Sequence, residues 1–211
     1  MESCTLSFSN GTVVHFLWRQ FFGGVREEAV SANEGDMCFG ASLDACVGSF
    51  LAPSGPRDVL VVTQGLFYAR YPHLGLGEAF GGTVMPRHLG DALEADARRL
   101  IALVRARFRG AHVIVVNTAP MRQDDPGGTN ARAVAINARL RRVWADVRWP
   151  VVDQETINAA ALARDPNTYA DHVHFPGKLS SAMWAYAMSL LCGRPASAAG
   201  GVRDVGTAGT S

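Results

Sequence analysis

The chain has 211 residues, 48% of them hydrophobic and 18% charged. That is enough apolar material for one core and too little charge for a disordered chain. A formal net charge of +1 sets up no long-range field to gather nucleic acid or an anionic membrane. No run approaches the ~18 apolar residues of a membrane-spanning helix, and the opening Met-Glu-Ser-Cys-Thr-Leu has neither the basic nor the apolar region of a signal peptide.

In chain order, residues 4–9 and 12–18 are strand-like runs around Asn10-Gly11, a strong short-range hairpin signal. Residues 19–40 read as loop. Ser42 caps an expected helix over residues 43–51, closed by Pro53-Ser54-Gly55-Pro56. Asp58 to Thr63 is a continuous apolar run, as in a parallel strand buried on both faces, and Gln64-Gly65-Leu66-Phe67-Tyr68 lies at its carboxyl end. Residues 69–86 read as a surface loop; Tyr68, Tyr71 and His73 could line a rim. From His88 to Phe108 apolar residues recur at helical spacing, with Glu94 and Arg98 paired on the polar face.

A second buried-type strand, His112 to Val116, ends at Asn117-Thr118-Ala119-Pro120. Thr129 or Asn130 starts a helix that runs to about Val143 and carries Asn137 on its inward side. Pro150 to Asp153 is a third short strand, followed by a helix over residues 155–164. The segment Asp171-His172-Val173-His174 precedes a last helix over residues 177–192, and residues 193–211 read as a disordered tail. Strands alternating with helices imply one α/β domain, residues 1–192, with a parallel sheet covered on both faces. Lys178 is the sole lysine beside 19 arginines, a bias of composition before it is a phosphate signal. Cys4, Cys38, Cys46 and Cys192 form no C-x2-C pair, so they match no zinc or redox pattern.

Ligands bind such sheets at the carboxyl ends of the strands. Gln64 to Tyr68, Asn117 to Arg122, Asp153 and the Asp171–His174 segment all fall on that rim. A carboxylate three residues from an imidazole can fix its tautomer and leave the other ring nitrogen to take a proton. Asn117 and Asp153 read as turn or cap residues, and Asn137 as a hydrogen-bond partner of a neighbouring loop. Gly65 reads as a tight strand exit. His172 and His174 alternate beside Asp171, but no further ligand at metal spacing joins them; no metal or other cofactor is expected.

The ordered set of the Asn-Gly hairpin, the strand ending at Gly65, the strand ending at Thr118-Ala119-Pro120, the helix with Asn137, the strand ending in Asp153 and Asp171-x-x-His174 resembles the SGNH (GDSL-like) hydrolase superfamily, and within it the PC-esterase-like branch. That resemblance spans residues 3 to 192. It implies a three-layer, flavodoxin-like parallel sheet and an acyl ester substrate, small or carbohydrate-borne, O-acetylated above all. It implies Asp171 orienting the base His174, with the Gly65 N–H, and Asn117 beside it, on the oxyanion or substrate side. The family's Gly-Asp-Ser block lies upstream of the hairpin. The hairpin here begins at Cys4, so the nucleophile is expected on a strand preceding these residues. Phe67 stands where the family usually supplies a His or Asn. These two departures support a second expectation, a non-catalytic relative that binds a glycan or protein.

Overall fold

The computed structural model describes residues 4–7, 13–16, 58–63, 65–70, 76–121, 128–165, 185–187 and 189. Strands β1 (Cys4–Ser7) and β2 (Val13–Phe16) form an antiparallel hairpin in which Cys4 faces Phe16 and Ser7 faces Val13. The register leaves residues 8–12 between the paired ends. The hairpin read from the sequence is present, and Asn10-Gly11 lies outside the described residues.

The main sheet is parallel, in the order β3 (Val59–Thr63), β4 (His112–Val116), β5 (Val151–Val152). Val59 pairs with His112 and Thr63 with Val116; Val115 and Val116 pair with Val151 and Val152. Parallel neighbours need a long crossover, and two helices supply it. Helix α2 (Arg87–Arg107) links β3 to β4, and α3 (Thr129–Val147) links β4 to β5. A short α1 (Leu66–Arg70) follows β3, and α4 (Gln154–Arg164) follows β5.

The strand period of two sorts the core into two layers. Val62, Val113 and Val115 join Leu89, Leu93, Leu100, Ile101, Val104, Ile136, Leu140, Val143 and Trp144 of α2 and α3 on one face. Ile114, Val116 and Val152 point to the other face, where Ala187, Val61 and Ile157 of α4 meet them. This is the three-layer α/β sheet expected from the sequence. β4 is buried along four of its five residues, whereas Val59 on β3 is 43% exposed, so β3 is less fully covered than its apolar run suggested.

Four expectations need correction. Residues 69 and 70, read as the start of a surface loop, belong to the helix Leu66–Arg70. Tyr68 is fully buried, and its hydroxyl donates to the buried Asp96 at 3.0 Å, so it belongs to the core and lines no rim. Glu94 and Arg98 do not pair along α2: Arg98 donates to Asp146 at 3.1 Å and Glu94 takes Arg139, both from α3. Partners on a packed neighbour displace the i,i+4 pair, which is worth only a few tenths of a kcal/mol. Lastly, α3 continues to Val147 and stops where Arg148 turns left-handed (φ 59°). Tyr68→Phe removes one donor from a buried carboxylate; we expect a loss of about 1–2 kcal/mol in urea unfolding, with the fold retained.

Candidate functional site

The three strand exits are tied together by side chains of α3 and α4. At the first, Gly65 is buried with φ +132°, and a Cβ added there would stand 2.0 Å from Thr118 Oγ1, 3.2 Å from Thr118 Cβ and 3.5 Å from Ile136 Cγ2. Only glycine allows that backbone and that closeness at once. The Gly65 carbonyl accepts the Ala69 N–H at 2.9 Å, which starts α1. Arg132 of α3 is 6% exposed; its Nε donates to the Ala69 carbonyl and its Nη2 to Thr129 Oγ1 at 3.1 Å. A cation at the carboxyl end of α1 complements that helix's dipole.

The second exit, Thr118 to Met121, is held at both ends by two amides of α3 spaced two turns apart. Thr118 N–H donates to Asn137 Oδ1 at 3.1 Å and Asn137 Nδ2 donates to Thr118 O at 2.8 Å. Met121 N–H donates to Asn130 Oδ1 at 2.7 Å and Asn130 Nδ2 donates to Met121 O at 3.0 Å. The loop role read for Asn137 is therefore observed, and Asn130 repeats it.

At the third exit Asp153 caps α4, accepting the Thr156 N–H at 3.3 Å and the Thr156 hydroxyl at 3.0 Å. Asn117 Nδ2 donates to Asp153 Oδ1 at 2.8 Å, and Asn117 Oδ1 accepts the Gln154 N–H at 2.6 Å. Both residues thus act as the cap and turn elements read from the sequence. Arg141 Nη2 bridges Asp153 and Glu155, each at 3.0 Å, and Glu155 Oε2 also takes Asn137 Nδ2 at 2.9 Å.

Burial pushes the Asp153 carboxyl up. The hydrogen bonds from Asn117 and Thr156 and the Arg141 charge outweigh burial and hold it below its ordinary value of 3.8. A lowered carboxyl stabilises the fold above its unfolded pKa, and that stabilisation is lost as pH falls through the folded pKa. Asp153→Asn keeps an equally good cap while removing the charge. We expect a deficit of about 1 kcal/mol or less at pH 7 that begins to shrink as pH falls below about 4 and is gone only below the lowered folded pKa, read by urea unfolding across pH.

Of the residues singled out in the sequence, Gly65 and Asn117 meet at one rim: Gly65 lies against Thr118, the next residue after Asn117. The Asn117 side chain faces Asp153 and the start of α4. Asp171, His172, His174, Ser42, Tyr71, His73, the loop at residues 19–40 and the expected helix at residues 43–51 lie outside the described residues. So do Cys38, Cys46, Cys192, the tail at residues 193–211 and most of the last helix, of which residues 185–187 are helical. Arg132, Arg141 and Glu155 could not be singled out from the sequence, because nothing in a string of arginines and acids marks those that will be held between helices. Nor did the sequence mark Asn158, which is fully buried with neither amide atom hydrogen-bonded among the described residues. Among the described residues no group of three or more His, Cys, Asp or Glu could hold a metal, and no helix is long and apolar enough to cross a membrane.

No family model matches the sequence, and no curated protein matches it. Solved structures do. A member of the lipolytic protein G-D-S-L family from Veillonella parvula superposes with a TM-score of 0.50 at 16% identity, over 67% of this chain and 67% of that one. A DUF4886 family protein from Bacteroides uniformis gives a TM-score of 0.50 at 12% identity, over 94% of this chain and 66% of that one. An acetylxylan esterase from Geobacillus stearothermophilus gives 0.44 at 14% identity, over 65% of this chain and 60% of that one. The fold is similar to that of the G-D-S-L family structure from Veillonella parvula, the α/β arrangement that the resemblance implied. The chain spans about two thirds of the length of the first two structures.

Proposed function

We propose that this chain is the acyl-transfer domain of an SGNH-type ester hydrolase or O-acyltransferase, acting on a small or carbohydrate-borne acyl ester, O-acetyl esters first. The observation that carries the reading is the convergence of the Gly65 turn with the Asn117–Thr118 exit on the carboxyl rim of a G-D-S-L-type sheet. Such rims hold the ligands of open α/β sheets. In this reading a serine nucleophile attacks the acyl carbonyl. His174 takes the serine proton as the C–O bond forms and returns it to the leaving alcohol; Asp171 orients the imidazole and stabilises its charged form. The Gly65 N–H stabilises the oxyanion, and Asn117 braces the rim beside it. Water or a second alcohol then takes the acyl group.

The test is p-nitrophenyl acetate hydrolysis by the polypeptide expressed with all coding sequence in frame upstream of Met1, with His174→Ala as the control. Hydrolysis lost in the control supports the reading. Equal rates reject it in favour of a non-catalytic glycan- or protein-binding relative. That second reading draws on Phe67 and on the absence of a rim serine among the described residues, where Ser189 donates to the Tyr186 carbonyl instead.

A further inference from the structure

Asn137 is linked to the candidate oxyanion turn through Thr118 and through its neighbour Ile136. Asn137 holds the Thr118 backbone from both sides, at 3.1 and 2.8 Å. Thr118 in turn fills the space where a Gly65 side chain would be. Ile136, the neighbour of Asn137 on α3, backs the same glycine. The second N–H of the Asn137 amide reaches Glu155 Oε2 at 2.9 Å, which Arg141 ties to Asp153. Both donors and one acceptor of the amide are engaged, which fixes its orientation; a flipped amide would face N–H to N–H at Thr118. Asn137 is 1% exposed, so this geometry is not traded for water.

We propose that Asn137 is a positioning residue: through Thr118 it sets the conformation in which the chain leaves β3 at Gly65, and so aims the backbone donors of that turn. Asn130 makes the same two-bond bridge at the Met121 end of the segment, away from Gly65. It is the internal comparison. Loss of either bridge costs stability. Only loss of the Asn137 bridge frees the Gly65 turn.

The deciding measurement is amide hydrogen exchange at Ala69, whose N–H reports on the Gly65 carbonyl, with the Phe108 amide, bonded to Val104 O at 2.8 Å, marking the far end of α2. Asn137→Ala is expected to speed Ala69 exchange about tenfold or more relative to Phe108, and Asn130→Ala to leave that ratio unchanged. Asn137→Ser, a smaller perturbation, gives the same sign if the alanine variant folds poorly. A ratio unchanged by the Asn137 substitutions, or raised equally by Asn130→Ala, overturns the proposal. A kinetic arm rests on the ester-hydrolase reading: kcat falls in Asn137→Ala while KM holds. A fall in affinity with kcat intact overturns the positioning role. If the parent chain shows no hydrolysis, the ester-hydrolase reading fails and the exchange ratio still decides.

Discussion

Gly65→Ala is expected to be the most damaging of the alanine substitutions at Gly65, Gly81, Gly82, Gly90 and Gly128. Two costs add. A non-glycine residue at φ +132° is strained by about 1–3 kcal/mol. The new Cβ also lands 2.0 Å from Thr118 Oγ1, and overpacking of this kind costs about 1–3 kcal/mol. The total, about 2–6 kcal/mol, is a large share of the ~5–15 kcal/mol that holds a typical domain together. Asn137 holds the Thr118 backbone on both sides, so only a χ1 rotation could move Oγ1 away, and that would still leave the Thr118 Cβ 3.2 Å from the added carbon. A double-mutant cycle separates the two costs. Thr118→Ala removes Oγ1 but leaves its Cβ 3.2 Å from the added carbon. The pair Gly65→Ala/Thr118→Ala should therefore recover most of the steric part and none of the backbone part. Urea unfolding of the four proteins measures this. A Gly65→Ala chain as stable as its parent would show that the turn does not sit as described.

The same turn shows what the sequence discloses and what it hides. β4 was legible because a parallel strand buried on both faces must be apolar at every position, and His112 to Val116 nearly is. α2 was legible from the recurrence of Leu89, Leu93, Leu100, Ile101 and Val104, all of which are buried. The short α1 was not: five residues are too few to show a helical period, and such a helix exists only because its neighbours hold it. Tyr68 was misplaced for the same reason, since its direction depends on a helix the sequence does not announce. The partners of Glu94 and Arg98 were misread because an i,i+4 rule knows nothing of Arg139 and Asp146 on the adjoining helix. At the site, Gly65 and Asn117 were visible as strand-end residues. The α3 side chains that hold those exits were visible only in part, with Asn137 marked by being polar on an inward face and Arg132 by nothing at all.

His174→Ala should produce the largest functional effect. Where serine, histidine and aspartate act as one unit, loss of the base lowers kcat about a million-fold and loss of the orienting carboxylate about ten-thousand-fold. At ~1.36 kcal/mol per decade these are about 8 and 5.5 kcal/mol of transition-state stabilisation. The in-frame extended polypeptide should therefore fall to background with His174→Ala and remain measurable with Asp171→Asn in a sensitive assay. The pH profile supplies a second, independent reading. An imidazole acting as base must be neutral, so kcat/KM should rise with pH through the histidine pKa, whose ordinary value is ~6.5. A carboxylate beside an imidazole favours the charged imidazolium and raises that pKa; in the ester-hydrolase reading Asp171 is that carboxylate, so Asp171→Asn should move the rise to lower pH. A binding relative shows neither the rate loss nor the displaced profile. A hydrolytic chain whose profile stays in place in Asp171→Asn would separate the two residues and leave His174 to act with some other partner.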